Sequence, residues 1–122
     1  MLVDTSASID AFGIDGDPAI RAAVRGVLVD GAAVLCDMIR VELWNGARGK
    51  AEQEMLRGLE ESLECVPTSP EVWETAVQLS RACRRRGLTL PATDVVIAAC
   101  AEHHGLGLLH HDRHFEEIAR AR

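Results

Sequence analysis

Several features common in other classes of protein are missing from this sequence. The longest unbroken apolar run, residues 95–101, has seven residues, far fewer than the roughly 20 that a helix needs to span a bilayer. No membrane helix is therefore expected. The first residues also lack the basic stretch and the apolar core of a secretory signal, so we expect a cytoplasmic protein.

Cysteine motifs are also missing. The four cysteines form no Cys-x-x-Cys pair and lie in separate apolar segments, at Cys36, Cys65, Cys83 and Cys100. This favours buried free thiols in a reducing compartment over a disulfide framework. One zinc alternative stays open, since a thiol and three imidazoles are offered by Cys100, His103, His110 and His114. That set lacks the paired spacing of structural zinc motifs.

Two enzyme and signalling classes of similar size are excluded by missing residues. A receiver domain requires an acidic pair after its first strand and a late lysine, whereas Asp4 stands alone and Lys50 is the only lysine. A haloacid-dehalogenase-type phosphatase requires Asp-x-Asp, whereas the second position of that motif is Ser6.

The balance of charge is acidic, with 13 Lys and Arg against 19 Asp and Glu and a net charge of -6. A protein of this charge is not attracted as a whole to nucleic acid, which argues against an RNA or DNA partner. The charges are uneven, however, because arginines crowd one stretch at Arg81 and residues 84–86. Net charge therefore does not decide the partner.

The sequence does contain enough apolar material for one compact domain. Of its 122 residues, 48% are hydrophobic and 26% are charged. A chain of this length builds one domain rather than two. With no repeat or linker along it, we expect residues 1–122 to form a single domain.

Strand and helix signals alternate along the chain. Short buried strands are predicted at residues 2–3, 32–36, 65–66 and 106–109. Helices are predicted at residues 18–29, 37–48, around 55–63, 70–87, 91–104 and from 112 through 119. In the 70–87 helix the predicted apolar stripe comprises Val72, Trp73, Ala76, Val77, Ser80 and Cys83. This alternation predicts an α/β fold with a short, mostly parallel central sheet covered on both faces.

Four acids occupy positions where such a fold builds a site. Asp4 and Asp112 each follow a predicted strand, and the carboxyl ends of parallel strands border one crevice. Glu42 and Asp94 lie in otherwise apolar helical sequence, where a charge is costly unless it is paired or bound to a cation. Each acid alone has an ordinary role open to it, as a turn former, a helix cap, a solvated residue or a partner of the helix dipole. One shared cation would explain all four.

Four motifs occur in order along the whole chain: Val-Asp-Thr-Ser at 3–6, Val-Glu-Leu at 41–43 with Asn-Gly-Ala-Arg at 45–48, Arg-Gly-Leu-Thr-Leu-Pro at 86–91 leading to Asp94, and His-Asp-Arg-His-Phe at 111–115. Each is weak singly, but together they resemble the PIN-domain nucleases, and among these the VapC-type toxins of bacterial toxin–antitoxin pairs. The resemblance implies an α/β/α sandwich in which Asp4, Glu42, Asp94 and Asp112 converge on Mg²⁺ or Mn²⁺.

The resemblance also implies an endoribonuclease that a small cognate antitoxin neutralises. Carboxylates suit a hard cation such as Mg²⁺, and a bound cation supplies an activated water and charge stabilisation for displacement at phosphorus. One departure is His114, which stands where many relatives carry a further acid. A second metal would then be held more weakly.

Accessory roles are expected for several neighbours of these acids. Thr5 and Ser6 either orient Asp4 or a metal-bound water, or cap the strand turn. Asn45, three residues after Glu42, either touches RNA or caps a loop. His114 is a further accessory candidate. Because the crevice is acidic, phosphate contacts are expected from Arg48, Lys50 and Arg113.

The expected partners are an RNA substrate, a small antitoxin and a second copy of the chain. The helix of residues 95–101 or the helix of Trp73 would contribute to the homodimer. Trp44 and Trp73 lie in apolar stripes and are expected in the core or an interface rather than stacked on bases. The alternative is a catalytically inactive PIN-like module that binds RNA or protein, although the complete set of four acids argues against it.

Overall fold

A computed structural model describes residues 1–4, 18–110 and 112–121. Its strands are β1 (Leu2–Val3), β2 (Val34–Cys36), β3 (Glu64–Val66) and β4 (Leu108–Leu109). Its helices are α1 (Pro18–Val29), α2 (Asp37–Gly46), α3 (Gly49–Ser62), α4 (Pro70–Arg85), α5 (Ala92–His103) and α6 (Arg113–Ala121). Thr5 and Ser6 lie outside the described residues. The predicted order of strands and helices is confirmed.

The four described strands form one parallel sheet in the order β3-β2-β1-β4. Leu2 of β1 pairs with Val34 on one side and with Leu108 on the other. Because all of these strands run in the same direction, their carboxyl ends lie along one edge. The residues that follow β1 and β4 are therefore neighbours.

The sheet separates two apolar clusters. Leu2 belongs to the larger cluster, which includes residues of α2, α4, α5 and α6. Val3, the next residue, packs in a smaller cluster with Val24 of α1. Successive side chains of a strand point to opposite faces, so β1 contributes to both. This arrangement confirms the expected α/β/α sandwich.

α5 lies inside the larger cluster. Its residues 95–97 and 99–101 are buried, with Ile97 and Cys100 fully so. A helix that is apolar on every side is typical of a core position, as its sequence predicts. It packs against α2, α4 and α6. Of residues 95–101, Ala98 alone is partly exposed, so this segment is used mainly within the protomer.

The buried stripe of α4 differs from the predicted one. Leu79 is buried together with Val72, Ala76 and Cys83, whereas 48% of Trp73 and 54% of Val77 are exposed. The buried residues recur at helical spacing on one face, and each exposed apolar residue lies one position further on, about 100° around the helix. Trp73 is thus a surface residue rather than a core residue.

Two smaller predictions are also corrected. α2 ends at Gly46 rather than Arg48, and α3 begins at Gly49, whose φ of +68° is a conformation that favours glycine. Cys65 is exposed on β3, an outer strand of the sheet, whereas the other three cysteines are buried free thiols. None of the described helices has both the length and the apolar character required to cross a membrane.

Candidate active site

Asp4 is fixed where β1 leaves the sheet. Its backbone N–H donates to the carbonyl oxygen of Leu109 at 2.9 Å, which joins the end of β1 to β4. Only 4% of Asp4 is exposed. Because β1 is a central strand, this carboxylate lies at the carboxyl edge of the sheet, beside the loop that follows β4.

Asp112 begins α6 and is itself held by hydrogen bonds. Its Oδ1 accepts the backbone N–H of His114 at 2.9 Å, which satisfies a donor at the helix N-terminus. Its own backbone N–H donates to Nδ1 of His110 at 3.3 Å. Asp112 therefore serves as a helix cap, and this role places its carboxylate at the carboxyl edge of the sheet.

Asp94 lies in the first turn of α5, and 8% of it is exposed. Its Oδ2 is 2.8 Å from Nδ1 of His114, and the same nitrogen is 3.2 Å from Oδ1 of Asp112. One ligand atom from each of Asp94, Asp112 and His114 lies within 4.8 Å of the others. Folding thus brings Asp94 close to Asp112 and to His114, the residue that stands where many relatives of the family carry an acid.

Negative charge accumulates around Asp94. Burial is the main cause that raises the pKa of its carboxyl, and the carboxylates of Asp112 and Asp4 raise it further. The hydrogen bond and charge of His114 act in the opposite direction. The net rise shows that the ionised form is unfavourable here. A cation bound between these groups would relieve the repulsion.

The donor set fits one divalent cation. Carboxylate oxygens are ligands for Mg²⁺ or Mn²⁺, and the imidazole nitrogen of His114 suits Mn²⁺ better than Mg²⁺. Ligand atoms about 2.0–2.2 Å from a shared ion lie no more than roughly 4.4 Å apart, close to the spacing of this group. Among the described residues, Asp94, Asp112 and His114 form the group of three His, Cys, Asp or Glu side chains whose ligand atoms lie close enough to share a metal ion.

Two of the predicted acids, Asp4 and Glu42, are not members of this group. Asp4 acts electrostatically on Asp94, which places it nearby. Glu42 is half-buried on α2, and α2 packs against α5. Of the described side chains, those with mutually close ligand atoms are Asp94, Asp112 and His114. Asn45 is exposed near the end of α2.

The zinc alternative is wrong. Cys100 is fully buried on α5, whereas His103 is exposed near the end of the same helix. The ring of His110 packs on Phe115 with centroids 5.1 Å apart, and His114 contacts Asp94. In the part of the chain that the structure describes, these four predicted ligands form no common group.

The predicted phosphate-binding residues occupy two helix starts. Arg113 is exposed at the start of α6, directly after Asp112. Arg48 and Lys50 are exposed at the start of α3, where the backbone N–H of Arg48 donates to the Glu52 carboxylate. Arg113 is the one adjacent in sequence to the acidic group.

His110 is a supporting residue that sequence reasoning considered only within the disfavoured zinc alternative. It accepts the N–H of Asp112 and thereby helps to fix the residue that caps α6. Its only signal in the sequence is its position two residues before Asp112. Sequence reasoning also missed the contacts that Glu60 of α3 makes with Arg40 at 3.0 Å and with the indole N–H of Trp44, because these partners are distant along the chain.

Comparison with known proteins identifies relatives along the whole chain. The PIN-domain profile matches residues 1–121. Ribonuclease VapC11 of Mycobacterium tuberculosis is 33% identical over an alignment of 124 positions, covering 98% of this chain and 92% of that protein. Ribonuclease VapC21 of the same species is 31% identical over 105 residues, covering 84% of this chain and 76% of that protein.

Solved structures share the fold. The chain is similar to one in the crystal structure of VapBC2 from Rickettsia felis bound to a promoter DNA fragment, with a TM-score of 0.79, 17% identity, and coverage of 98% of this chain and 90% of that one. A chain of FitAB bound to a DNA fragment gives a TM-score of 0.76 at 18% identity, with coverage of 98% and 89%. With the profile match and relatives above 30% identity, the chain belongs to the PIN-domain family, among the VapC ribonucleases.

Proposed function

We propose that this chain is an endoribonuclease toxin that depends on Mg²⁺ or Mn²⁺ and is neutralised by a small antitoxin, with residues 1–122 as one nuclease domain. The observation that carries the proposal is the convergence of Asp94, Asp112 and His114 beside buried Asp4. The ribonuclease names of relatives that cover most of the chain support the same activity. An inactive binding module would have no need for buried, mutually repelling carboxylates.

Each acid has a distinct part in this proposal. Asp94 and Asp112 bind the cation directly, and Asp4 contributes buried negative charge at the end of β1. Glu42 provides the fourth carboxylate from α2, through water or once RNA is bound. When bound, the cation supplies an activated water and stabilises charge at phosphorus. His114 orients Asp94 through the hydrogen bond at Nδ1, and a ring nitrogen that carries no proton would be its ligand atom for the cation.

RNA binding is assigned to exposed cations beside the acidic group. Arg113 follows Asp112 directly, so it is placed to contact a phosphate next to the scissile bond. Arg48 and Lys50 at the start of α3 bind phosphates further along the strand. Asn45, Thr5 and Ser6 are assigned to positioning of RNA or of Asp4.

Protein partners complete the proposal. The structural relatives include toxin–antitoxin complexes, which supports a small antitoxin for this chain. An arginine of that antitoxin would be bound by the carboxylates of Asp94 and Asp112, in a charge-assisted pair that also blocks the cation. The chain itself is proposed to act as a homodimer.

Cleavage by the purified chain tests the nuclease. RNA should be cut with Mg²⁺ or Mn²⁺ and left intact in excess EDTA. Asp94→Asn should reduce the rate by more than about 100-fold, because even outer-shell substitutions at metal sites cost 10–100-fold, and should weaken Mn²⁺ binding in calorimetry. Asp30→Asn, an exposed acid after α1, is the matched control. Equal cleavage with and without EDTA would overturn the metal mechanism.

Expression in a bacterial host tests the toxin. The wild-type chain should arrest growth, Glu42→Gln should relieve the arrest, and Asp30→Asn should not. A small protein that restores growth should purify with the wild-type chain as a stable complex. Unimpaired growth with abundant soluble wild-type chain, in a host without such a partner, would count against the toxin assignment.

A further inference from the structure

Residues 81–93 carry positive charge and no negative charge. They include Arg81, Arg84, Arg85 and Arg86 but no Asp or Glu, in a chain that has 19 acids and a net charge of -6. All four arginines are exposed. None of them forms an ion pair within the part of the chain that the structure describes. The segment is therefore a basic surface that the described acids leave unneutralised.

Three of these arginines lie on one side of α4. Arg81, Arg84 and Arg85 are related by spacings of three and four residues, so they share a helix face, and together with Ser80 they line one open hollow. The helix dipole favours the two arginines in the last turn but not Arg81, one turn earlier. Like charges four residues apart destabilise a helix. An anion bound over this face would remove that repulsion.

The end of α4 does not need these arginines as caps. Gly87, with a φ of +76°, turns the chain back, and the N–H groups of Gly87 and Leu88 donate to the carbonyl oxygens of Arg84 and Cys83 at 2.9 Å each. This Schellman arrangement satisfies the last carbonyls of a helix with backbone alone. Arg84 donates to Oγ1 of Thr89 at 2.7 Å, but a guanidinium has five N–H donors. The arginine side chains therefore retain donors for a ligand.

The basic segment leads to the acidic group. The N–H of Asp94 donates to the carbonyl oxygen of Pro91 at 3.1 Å, so the Cα atoms of these two residues lie less than about 7 Å apart. Pro91 is two residues after Thr89, a step of at most about 7 Å. Thr89, which holds Arg84, is thus within roughly 14 Å of Asp94, measured between Cα atoms. A few nucleotides of single-stranded RNA span that distance, and both Thr89 and Pro91 are exposed along it.

We infer that the α4 arginine face, consisting of Arg81, Arg84 and Arg85, binds phosphates of a single-stranded RNA whose scissile bond lies at the acidic group. The strand runs along residues 86–93, and its phosphates accept charge-assisted hydrogen bonds from the guanidinium groups. A flexible single strand, unlike a stiff duplex, can follow this surface and still bend towards Asp94, of which only 8% is exposed. The inference rests on the nuclease function proposed above and adds to it a surface distinct from the phosphate-binding residues assigned there.

Salt-dependent RNA binding tests the arginine face. The Glu42→Gln chain, which should bind RNA without cutting it, is titrated into a fluorescently labelled single-stranded RNA of mixed sequence, and anisotropy is followed from low to high salt. The slope of log K against log salt is about 0.7 per phosphate contact for single strands, so Arg84→Gln combined with Arg85→Gln should reduce its magnitude by about 1.4. At roughly 0.05 M salt the affinity should fall at least about 30-fold.

Two further variants control for net charge and for packing. Arg25→Gln combined with Arg120→Gln removes the same charge from exposed positions on α1 and α6, and it should leave the slope nearly unchanged. Arg84→Lys combined with Arg85→Lys keeps the charge and should keep most of the slope, because each ammonium group still displaces a counterion. Circular dichroism checks that every variant keeps the fold.

Cleavage tests where the arginine face lies relative to the acidic group. In a chain that retains Glu42, Arg84→Gln combined with Arg85→Gln should raise KM for a long RNA at least about tenfold and leave kcat unchanged, because these phosphates are bound equally in the ground state and the transition state. An RNA shortened to the few nucleotides around its mapped cut should lose the difference, since it no longer reaches the arginines.

The outcomes separate the two proposals. An unchanged salt slope in the Arg84, Arg85 glutamine variant overturns the RNA surface, and so does an equal loss in the Arg25, Arg120 control. Normal RNA binding by a glutamine variant that no longer holds a co-expressed small partner protein would assign the face to that protein instead. A KM difference that persists with the shortest RNA overturns the path along residues 86–93. Absence of cleavage, with the salt slopes as expected, overturns only the nuclease function.

Discussion

Two helices of similar length, α5 with 12 residues and α3 with 14, differ in burial: α5 lies in the core and α3 lies on the surface. α5 buries seven residues, among them Asp94, whereas none of the described residues of α3 is buried. Polar contacts of Glu60 with Arg40 and Trp44 join α3 to α2. Asp94 of the acidic group thus lies on a buried helix, whereas the candidate RNA-contacting cation Lys50 lies on a surface helix.

This division has a physical basis. A metal site requires ligands held to within a fraction of an ångström, which a packed helix provides. Burial on that helix raises the free energy of the ionised Asp94 carboxyl. Phosphate-binding cations such as Arg48 and Lys50 need exposure rather than precision, and α3 provides it without burying charge.

The largest expected difference between the two helices is in the loss of stability when one apolar side chain of each is truncated to alanine. Ile97→Ala on α5 should lower the free energy of unfolding by about 2–5 kcal/mol, because it leaves a cavity in the core. Leu56→Ala on α3, where the side chain is half-buried, should cost less than about 1.5 kcal/mol. Urea denaturation measures both. Equal losses would mean that α3 contributes to the core as much as α5 does.

Neutralising Asp94 on α5 and Glu60 on α3 should affect cleavage and stability differently. Asp94→Asn removes a buried charge of raised pKa, so it should reduce cleavage more than about 100-fold while raising the melting temperature in EDTA. Glu60→Gln on α3 should leave cleavage within about twofold, since it breaks only contacts worth roughly 1 kcal/mol. Thermal melts paired with cleavage rates decide this, and a destabilised Asp94→Asn would contradict the repulsion at the site.

Metal choice should depend on the imidazole beside α5. Because nitrogen ligands favour Mn²⁺ over Mg²⁺, the wild-type chain should bind Mn²⁺ more tightly, and His114→Asp should reduce the Mn²⁺/Mg²⁺ affinity ratio about tenfold (roughly 1.4 kcal/mol). His103→Asp, an exposed histidine near the end of α5, is the control. Calorimetric titrations with each metal measure the ratio. Superimposable curves for wild type and His114→Asp would remove His114 from the site.

The smallest effect is a pH dependence on the α3 side. The hydrogen bond from Trp44, assisted by Arg40, holds the pKa of Glu60 below its ordinary 4.5. A lowered folded pKa contributes stability above that ordinary value, and the contribution disappears as pH falls through the folded pKa. Wild type should therefore exceed Glu60→Gln by at most about 1 kcal/mol at pH 7, with the difference vanishing in acid. A constant difference from pH 7 to pH 3 in urea denaturation would show that the charge of Glu60 is not responsible.

Most of the fold could be predicted because its signals are local. Pro18 and Pro70 mark helix starts, and the apolar run after Asp94 indicates a buried helix, as the structure shows. Strand lengths were less accurate: β2 begins at Val34 and β4 at Leu108, each two residues later than predicted. The ends of a strand are fixed by its pairing with neighbouring strands, and the apolar character of the sequence alone does not reveal that pairing.

The site was predictable in part. The positions of Asp4 and Asp112 after strands were enough to place both at one edge, because parallel strands share that edge. Asp94 was suspected because it interrupts apolar sequence. The structure adds that His114 contacts Asp94 across 20 positions of sequence, which no local pattern reports. The roles of Thr5 and Ser6 stay predictions.

The sequence by itself thus determined the order of the elements, the α/β class and the acids at the sheet edge, since these follow from periodicity and from spacing along the chain. Only the tertiary structure decided which apolar residues of α4 are buried, which cysteine is exposed and where the imidazole of His114 points. Leu79 faces the core and Trp73 the solvent, although both are apolar. The reason is physical: burial and side-chain contacts depend on residues that folding brings together from distant parts of the chain.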